Sequence, residues 1–384
     1  MVKTILISNV RLVNHDQDFI SDVFLEDGKI KKIGNNLLLD ADQQIDGTSK
    51  EWILFPGFID MHIHGSAGFD TMDATEETLR GMARSLLKEG TTSFLATTMT
   101  QQVNAIEDAL VNVGRFESNV DEAELLGVHI EGPYISQKRV GAQPIEHVIE
   151  PSIEQFNRWQ KLSGKRIKQI TVAPEVTSGF KFVEAISDQG VVVSIGHSDA
   201  TTEEVEKAVK LGAKQATHLF NQMSPFHHRE PGVVGTVLIE EKIKTEIIVD
   251  FFHSHRNAVK MAYRLKHAEG IILITDAMRA KGLPYGDYDL GGQIVHVTEH
   301  GAHLPNGSLA GSILTMDQAV RNIRDVTGCS LQEIVLMSSG NAAKQLNLKN
   351  KGYIAEGLDA DLVLMDRNLQ VQKTICRGNI VFEK

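Results

Sequence analysis

The sequence has only two cysteines, Cys329 and Cys376, among 384 residues. Their spacing fits neither a disulfide framework nor a thiolate zinc site. Two buried free thiols in a reducing compartment are therefore expected. No run approaches the ~18 apolar residues of a membrane-spanning helix. The apolar stretch around Ile5-Leu6-Ile7 is too short for a secretory signal, so the expected location is cytoplasmic. Internal repeats and low-complexity segments are absent. Positive charge is in deficit, with 39 Lys and Arg against 50 Asp and Glu, a formal net charge of −11. An acidic surface argues against nucleic acid or anionic lipid as the main partner. It leaves room for a small anionic substrate held by a few local cations.

What is present is a long chain with 42% hydrophobic content, enough for a large core. Both ends read as short strands joined by polar or glycine turns. At the start these are Ile5–Ile7, Asp22–Leu25 and Lys29–Ile33; at the end Asp361–Asp366, Val371–Cys376 and Ile380–Phe382. Two all-β ends predict one small β-sandwich domain from residues 1–54 and 350–384. Between them, over 55–349, strand-like apolar runs alternate with helical stretches. The runs are Ile59–His64, Thr92–Thr97, Leu125–Glu131, Ile167–Ala173, Val191–Gly196, Ala216–Phe220, Glu246–Asp250 and Ile271–Thr275. Glu76–Glu89, Thr202–Leu211 and Asn257–His267 have helical periodicity. This alternation predicts an α/β fold, a catalytic (β/α)8 TIM-type barrel; a doubly wound open sheet is the alternative.

Barrel chemistry sits at the C-terminal ends of strands. His62 and His64 end the first run, Glu131 the third; His197 follows the fifth, His218 lies in the sixth, and Asp276 follows the eighth. Histidines at i and i+2 on a strand face one side and can reach one ion. A carboxylate, Glu131, could bridge it to a second ion held by His197 and His218. Imidazole with carboxylate suits Zn, Fe, Mn or Co without choosing among them. Taken singly, each residue has an ordinary explanation: a hydrogen-bonded core histidine for His218, a buried ion pair for Glu131, a helix N-cap for Asp276. Six such residues in order at strand ends point instead to a divalent metal that activates water, and so to a hydrolase.

Several segments carry a more specific resemblance. They are Pro56–Gly65, Gly127–Tyr134 with its Glu131-Gly132-Pro133, Ser194–Thr201, Thr217–Pro225, Arg229-Glu230-Pro231-Gly232 and Ile274–Met278. Through them the chain resembles the N-acetylglucosamine-6-phosphate deacetylases of the amidohydrolase superfamily, nearly end to end. The resemblance implies a sugar-phosphate substrate that loses its 2-acetyl group, and a homodimer. Members with the His-x-His pair bind two metals, which implies two ions here. It also implies that Arg229 and His253 contact the phosphate, with backbone amides near Asn221 and Gln222. Asp276 would take a proton from water and deliver it to the amine. Where some relatives have a sugar-contacting histidine after Glu131, this chain has Gln143. Phe251 stands where relatives usually have glycine. The alternatives are another amidohydrolase reaction, such as N-acetylgalactosamine-6-phosphate deacetylation, or a non-catalytic assembly protein on the same scaffold.

Overall fold

Eight short segments, each buried on both faces, line up side by side in the middle of the chain. A computed structural model describes residues 4–384. The segments are β1 (Phe58–Ile63), β2 (Thr91–Thr98), β3 (Glu124–Glu131), β4 (Ile167–Val172), β5 (Val192–Ile195), β6 (Gln215–Ala216), β7 (Lys244–Ile247) and β8 (Ile271–Leu273). They pair in sequence order and in parallel. Parallel strands covered on both faces read as continuous apolar runs rather than alternating ones; β2 is buried throughout. A helix follows each strand: Glu76–Ser85, Val103–Arg115, Ile153–Leu162, Gly179–Ser187, Thr202–Lys210, Gly232–Ile239, Arg256–Gly270 and Met316–Thr327. The fold is a (β/α)8 barrel.

The barrel is closed by the segment that follows β8. Asp276 N–H donates to His62 O at 2.8 Å, and His64 and Gly65 N–H both donate to Ala277 O at 2.9 Å. Two elements escape the periodicity of the sequence. Helix Gly232–Ile239 is apolar on all sides and buried up to Leu238, so it shows no amphipathic stripe. Between β8 and the last helix lies a three-stranded sheet, Gly286–Leu290, Gln293–Thr298 and Gly301–His303. It has its own small core of Met99, Met278, Leu290, Val295, Val297 and Leu304.

The two chain ends meet in one eight-stranded sheet. Asn379–Glu383, Val371–Cys376 and Leu362–Met365 pair in that order, then Ile53–Pro56, Thr4–Val13, Asp18–Glu26 and Lys29–Gly34. The sheet branches along Thr4–Val13. Ile5–Ser8 pair with Gln43–Asp46, and Arg11 and Leu12 pair with Ile53 and Leu54. Its strands share a core that includes Ile7, Val23, Leu25, Leu54, Leu362 and Leu364. Cys329 and Cys376 are both free and buried.

One buried cation ties this sheet to the barrel. Lys351 Nζ is 2.7 Å from Glu124 Oε2 at the start of β3 and also pairs with Asp361, next to Leu362–Met365. Burial opposes its charge, but Asp361 and Glu124 hold the ammonium protonated well above its ordinary range. Lys351→Met leaves the buried Asp361 without that cation, so a loss of about 3–5 kcal/mol is expected. Urea unfolding checks this; an unchanged midpoint would show that the pair contributes nothing.

Candidate metal centre

Each of the six sequence-selected side chains lies at the C-terminal mouth of the barrel, and the structure brings them into one buried cluster. His62 is in β1 and His64 just after it; Glu131 is the last residue of β3. His197 and His218 each follow their strand by two residues, and Asp276 follows β8 by three. Three of these positions leave the ladder in left-handed backbone: φ is 47° at His197, 31° at His218 and 49° at Asp276. That turn ends the short β6 at Ala216. Asp276 caps no helix, since its own N–H and C=O join β1 to the segment around Ser312. Behind Glu131, Gly132 has φ +72°, and a Cβ there would stand 1.9 Å from Thr100 Oγ1. Only glycine lets the chain turn away so closely after the carboxylate.

The donor atoms form two adjoining groups, His62 with His64 and Asp276, and Glu131 with His197 and His218. His62 Nε2 is 3.3 Å from Asp276 Oδ1, and His64 Nε2 is also 3.3 Å from it. Glu131 spans both groups, with Oε2 at 3.1 Å from His64 Nε2 and Oε1 at 3.0 Å from His218 Nε2 and 3.4 Å from His197 Nε2. Two pairs of imidazole nitrogens face each other, His62 with His64 at 3.4 Å and His197 with His218 at 3.1 Å. Ligands at the corners of a tetrahedron around zinc stand roughly 3.4 Å apart, so these spacings fit a shared cation. Facing lone pairs at that distance otherwise repel.

The local field is shaped for positive charge. Burial opposes protonation of His64, but Asp276 and Glu131 outweigh it and raise its pKa to about 9. Burial likewise disfavours ionised Glu131, yet the surrounding histidines, His62 first, hold it well below the usual carboxylate range. Asp276 is lowered against its burial by His62 and His64. A divalent cation satisfies all of these groups at once. Beneath the cluster, His129 is neutral, kept so chiefly by burial and by the charge of His62. Its Nε2 pairs with Thr171 Oγ1 at 2.8 Å. Glu246, which in the sequence only opens the seventh apolar run, accepts a hydrogen bond from His62 Nδ1 through its Oε2 at 3.0 Å.

The cluster opens into a cavity of about 200 Å³. Of the expected substrate contacts, Gln143, Asn221, Gln222 and His253 line it. Gln143 is fixed at both ends: Thr100 N–H donates to Oε1 at 2.7 Å, and Nε2 donates to Glu131 Oε2 at 2.8 Å. The His253 side chain is only 6% exposed and bonds Asp250 Oδ2 at 2.7 Å, so it is no solvated loop histidine. The Asn221 N–H already donates to His218 O at 3.0 Å, which leaves the Gln222 amide as the available one of the two. Arg229 is not in the cavity. It lies exposed on the loop Pro225–Glu230 and donates to His228 Nε2 at 2.9 Å. The resemblance implied a phosphate contact for Arg229, but within one chain its loop lies outside the cavity. Phe251 takes φ +68°, a left-handed conformation that favours glycine. Its ring packs on the core beneath the Arg256 guanidinium, 4.5 Å from the ring centre, rather than in the cavity. Met99, Leu290, Ser308 and Leu309 also line the cavity. The last three come with the inserted sheet and its following loop, which carry no sequence signal of a site.

Residues 53–381 match the model of the amidohydrolase family. The chain belongs to the amidohydrolase family. This amidohydrolase is 58% identical to an N-acetylglucosamine-6-phosphate deacetylase of Lysinibacillus sphaericus, over 98% of this chain and 97% of that protein. It is 45% identical to the enzyme of the same name from Bacillus subtilis (strain 168), over 100% of this chain and 98% of that one. The crystal structure of N-acetylglucosamine-6-phosphate deacetylase from Thermotoga maritima superposes with a TM-score of 0.90 at 38% identity, covering 99% of this chain and 100% of that one. The resemblance drawn from the motifs therefore holds, and the donor set together with the family supports a divalent metal as its cofactor. Among the described residues no helix is long and apolar enough to cross a membrane.

Proposed function

We propose that the protein removes the acetyl group of N-acetylglucosamine 6-phosphate to give glucosamine 6-phosphate and acetate, a step of amino-sugar catabolism in the cytoplasm, with two divalent ions per chain. The observation that carries this is the complete set of six donors at the mouth of a cavity that His253 and Gln222 also line. His62, His64 and Asp276 would hold one ion, His197 and His218 the other, and Glu131 would bridge them. When bound, a divalent metal supplies Lewis-acid activation of water and of the amide carbonyl.

The chain's own groups do the rest. Asp276 accepts the proton of the attacking water and returns it to the amide nitrogen, because an amine anion is too poor a leaving group. Gln143 holds Glu131 in one orientation, and its Nε2 has a second hydrogen to offer toward the cavity. His253, steadied by Asp250, and the Gln222 amide hold the phosphate. The donor set speaks against a non-catalytic assembly protein. The deciding measurement is acetate release from both N-acetylglucosamine and N-acetylgalactosamine 6-phosphates. Release from neither would overturn the proposal, and preference for the second would change the sugar.

Among the described residues no lysine or arginine lines the cavity, so the phosphate lacks a permanent cation there. Arg229 supplies it if a second copy presents its loop, which makes the active form a homodimer. Exposed Phe226, at 64%, lies in the same loop and would be covered on pairing. Arg229→Ala is expected to raise KM for the phosphorylated sugar roughly ten-fold or more, the effect of losing one charge-assisted hydrogen bond. KM for the unphosphorylated sugar should not change. Equal effects on both would remove Arg229 from the phosphate site, and a monomer by sedimentation would remove the dimer.

A further inference from the structure

The four imidazoles of the centre are backed unequally. His62 Nδ1 meets a carboxylate oxygen of Glu246 at 3.0 Å. His197 Nδ1 meets the carbonyl oxygen of Arg139 at 2.7 Å. The Nδ1 atoms of His64 and His218 are buried without any hydrogen-bond partner. We propose that Glu246 is a positioning residue that fixes the His62 ring for metal and thereby sets the affinity of the ion at the His62–His64 end. The inference rests on the two-ion reading above and concerns a residue that never touches the substrate.

Glu246 is itself held with care. Its Oε1 accepts from Gln169 Nε2 and from Gln215 Nε2, each at 2.6 Å. Its Oε2 accepts from His62 Nδ1 and, at 3.2 Å, from the His218 N–H. Gln215 Nε2 also donates to Gln169 Oε1 at 2.9 Å, which fixes the orientation of both amides. Glu246, Gln169, Gln215 and His62 are all fully buried. The carboxylate on β7 thus gathers donors from β1, β4, β6 and the turn after β6 across the barrel interior. Such a site carries a full negative charge only when each lone pair has a donor.

The consequence for His62 is directional. A proton held on Nδ1 by Glu246 leaves the Nε2 lone pair facing His64 and Asp276, the tautomer a metal needs. A carboxylate behind the ring also makes that nitrogen a stronger donor than a carbonyl would. His64, in the same group, has no such support, so this end of the centre depends on Glu246. The other end has His197, backed by a main-chain carbonyl that no side-chain change removes.

The test is equilibrium dialysis of the full-length protein against zinc in a chelator buffer, with the bound metal counted by elemental analysis. Glu246→Gln keeps the shape and one acceptor but removes the charge. It should weaken one of two ions about ten-fold, and Glu246→Met about a hundred-fold, the range found when such carboxylate partners are removed. The other ion should keep its wild-type affinity. In a His62→Ala background, Glu246→Gln should have no further effect. Unchanged affinity for both ions, equal weakening of both, or an independent effect in the His62→Ala background would each overturn the proposal. Glu246→Gln decides the matter if Glu246→Met fails to fold. A wild-type protein that holds one ion would overturn the two-ion reading separately; Glu246 then stands only if Glu246→Gln weakens that ion.

Discussion

Asp276→Asn is expected to keep the fold and the bound metal and to lose roughly 10²–10⁴-fold in kcat, the usual contribution of a positioned proton carrier. The substitution is nearly isosteric. Asp276 has φ 49°, and asparagine is among the few residues that tolerate this left-handed backbone. Its main-chain bonds to His62 and Ser312 survive, so the barrel still closes. The amide can still approach a metal through oxygen but cannot take up a proton. Acetate release, measured beside metal content and thermal unfolding, separates these effects. Near-wild-type turnover in metal-loaded protein would remove Asp276 from the proton path. Loss of metal together with activity would make it chiefly a ligand.

Removing the metal should abolish turnover and lower stability together. Without a cation, facing imidazole nitrogens stand 3.1 and 3.4 Å apart in a buried site, and protons must take the place of the ion. A ligand present at about a thousand times its Kd stabilises the folded state by about 4 kcal/mol, so chelated protein should melt several degrees lower. Adding back zinc, manganese, cobalt or iron(II) should restore both, and comparing them identifies the metal. Deacetylation that persists after exhaustive chelation, verified by elemental analysis, would overturn the metal-dependent reading.

The eight barrel strands were visible because a parallel strand buried on both faces must be apolar throughout, and because polar side chains at its end break that run. Hence His62, Glu131 and His197 lay at the edges of the runs, and all six donors came together. Boundaries were less visible where chemistry bends the chain. The sixth apolar run spans Ala216–Phe220, whereas β6 ends at Ala216 and the left-handed turn at His218 begins. Helix Gly232–Ile239 and the inserted sheet leave no such mark in the sequence. The first has no polar face to give a period; the second is a local hairpin structure that feeds Leu290 to the cavity.

Sequence alone determined the order of elements, the donor set and the family, because strand-end position and residue chemistry are local properties that motifs retain. Tertiary structure alone decided which side of the barrel mouth each loop faces. Arg229 stands eleven residues after His218 in the chain and yet points away from the cavity. Glu246 looked like one polar residue in a strand and lies behind the ring of His62, 184 positions distant. The physical reason is that a hydrogen bond or ion contact depends on distances of about 3 Å. Neighbours along the chain do not determine those distances; the closure of the barrel does.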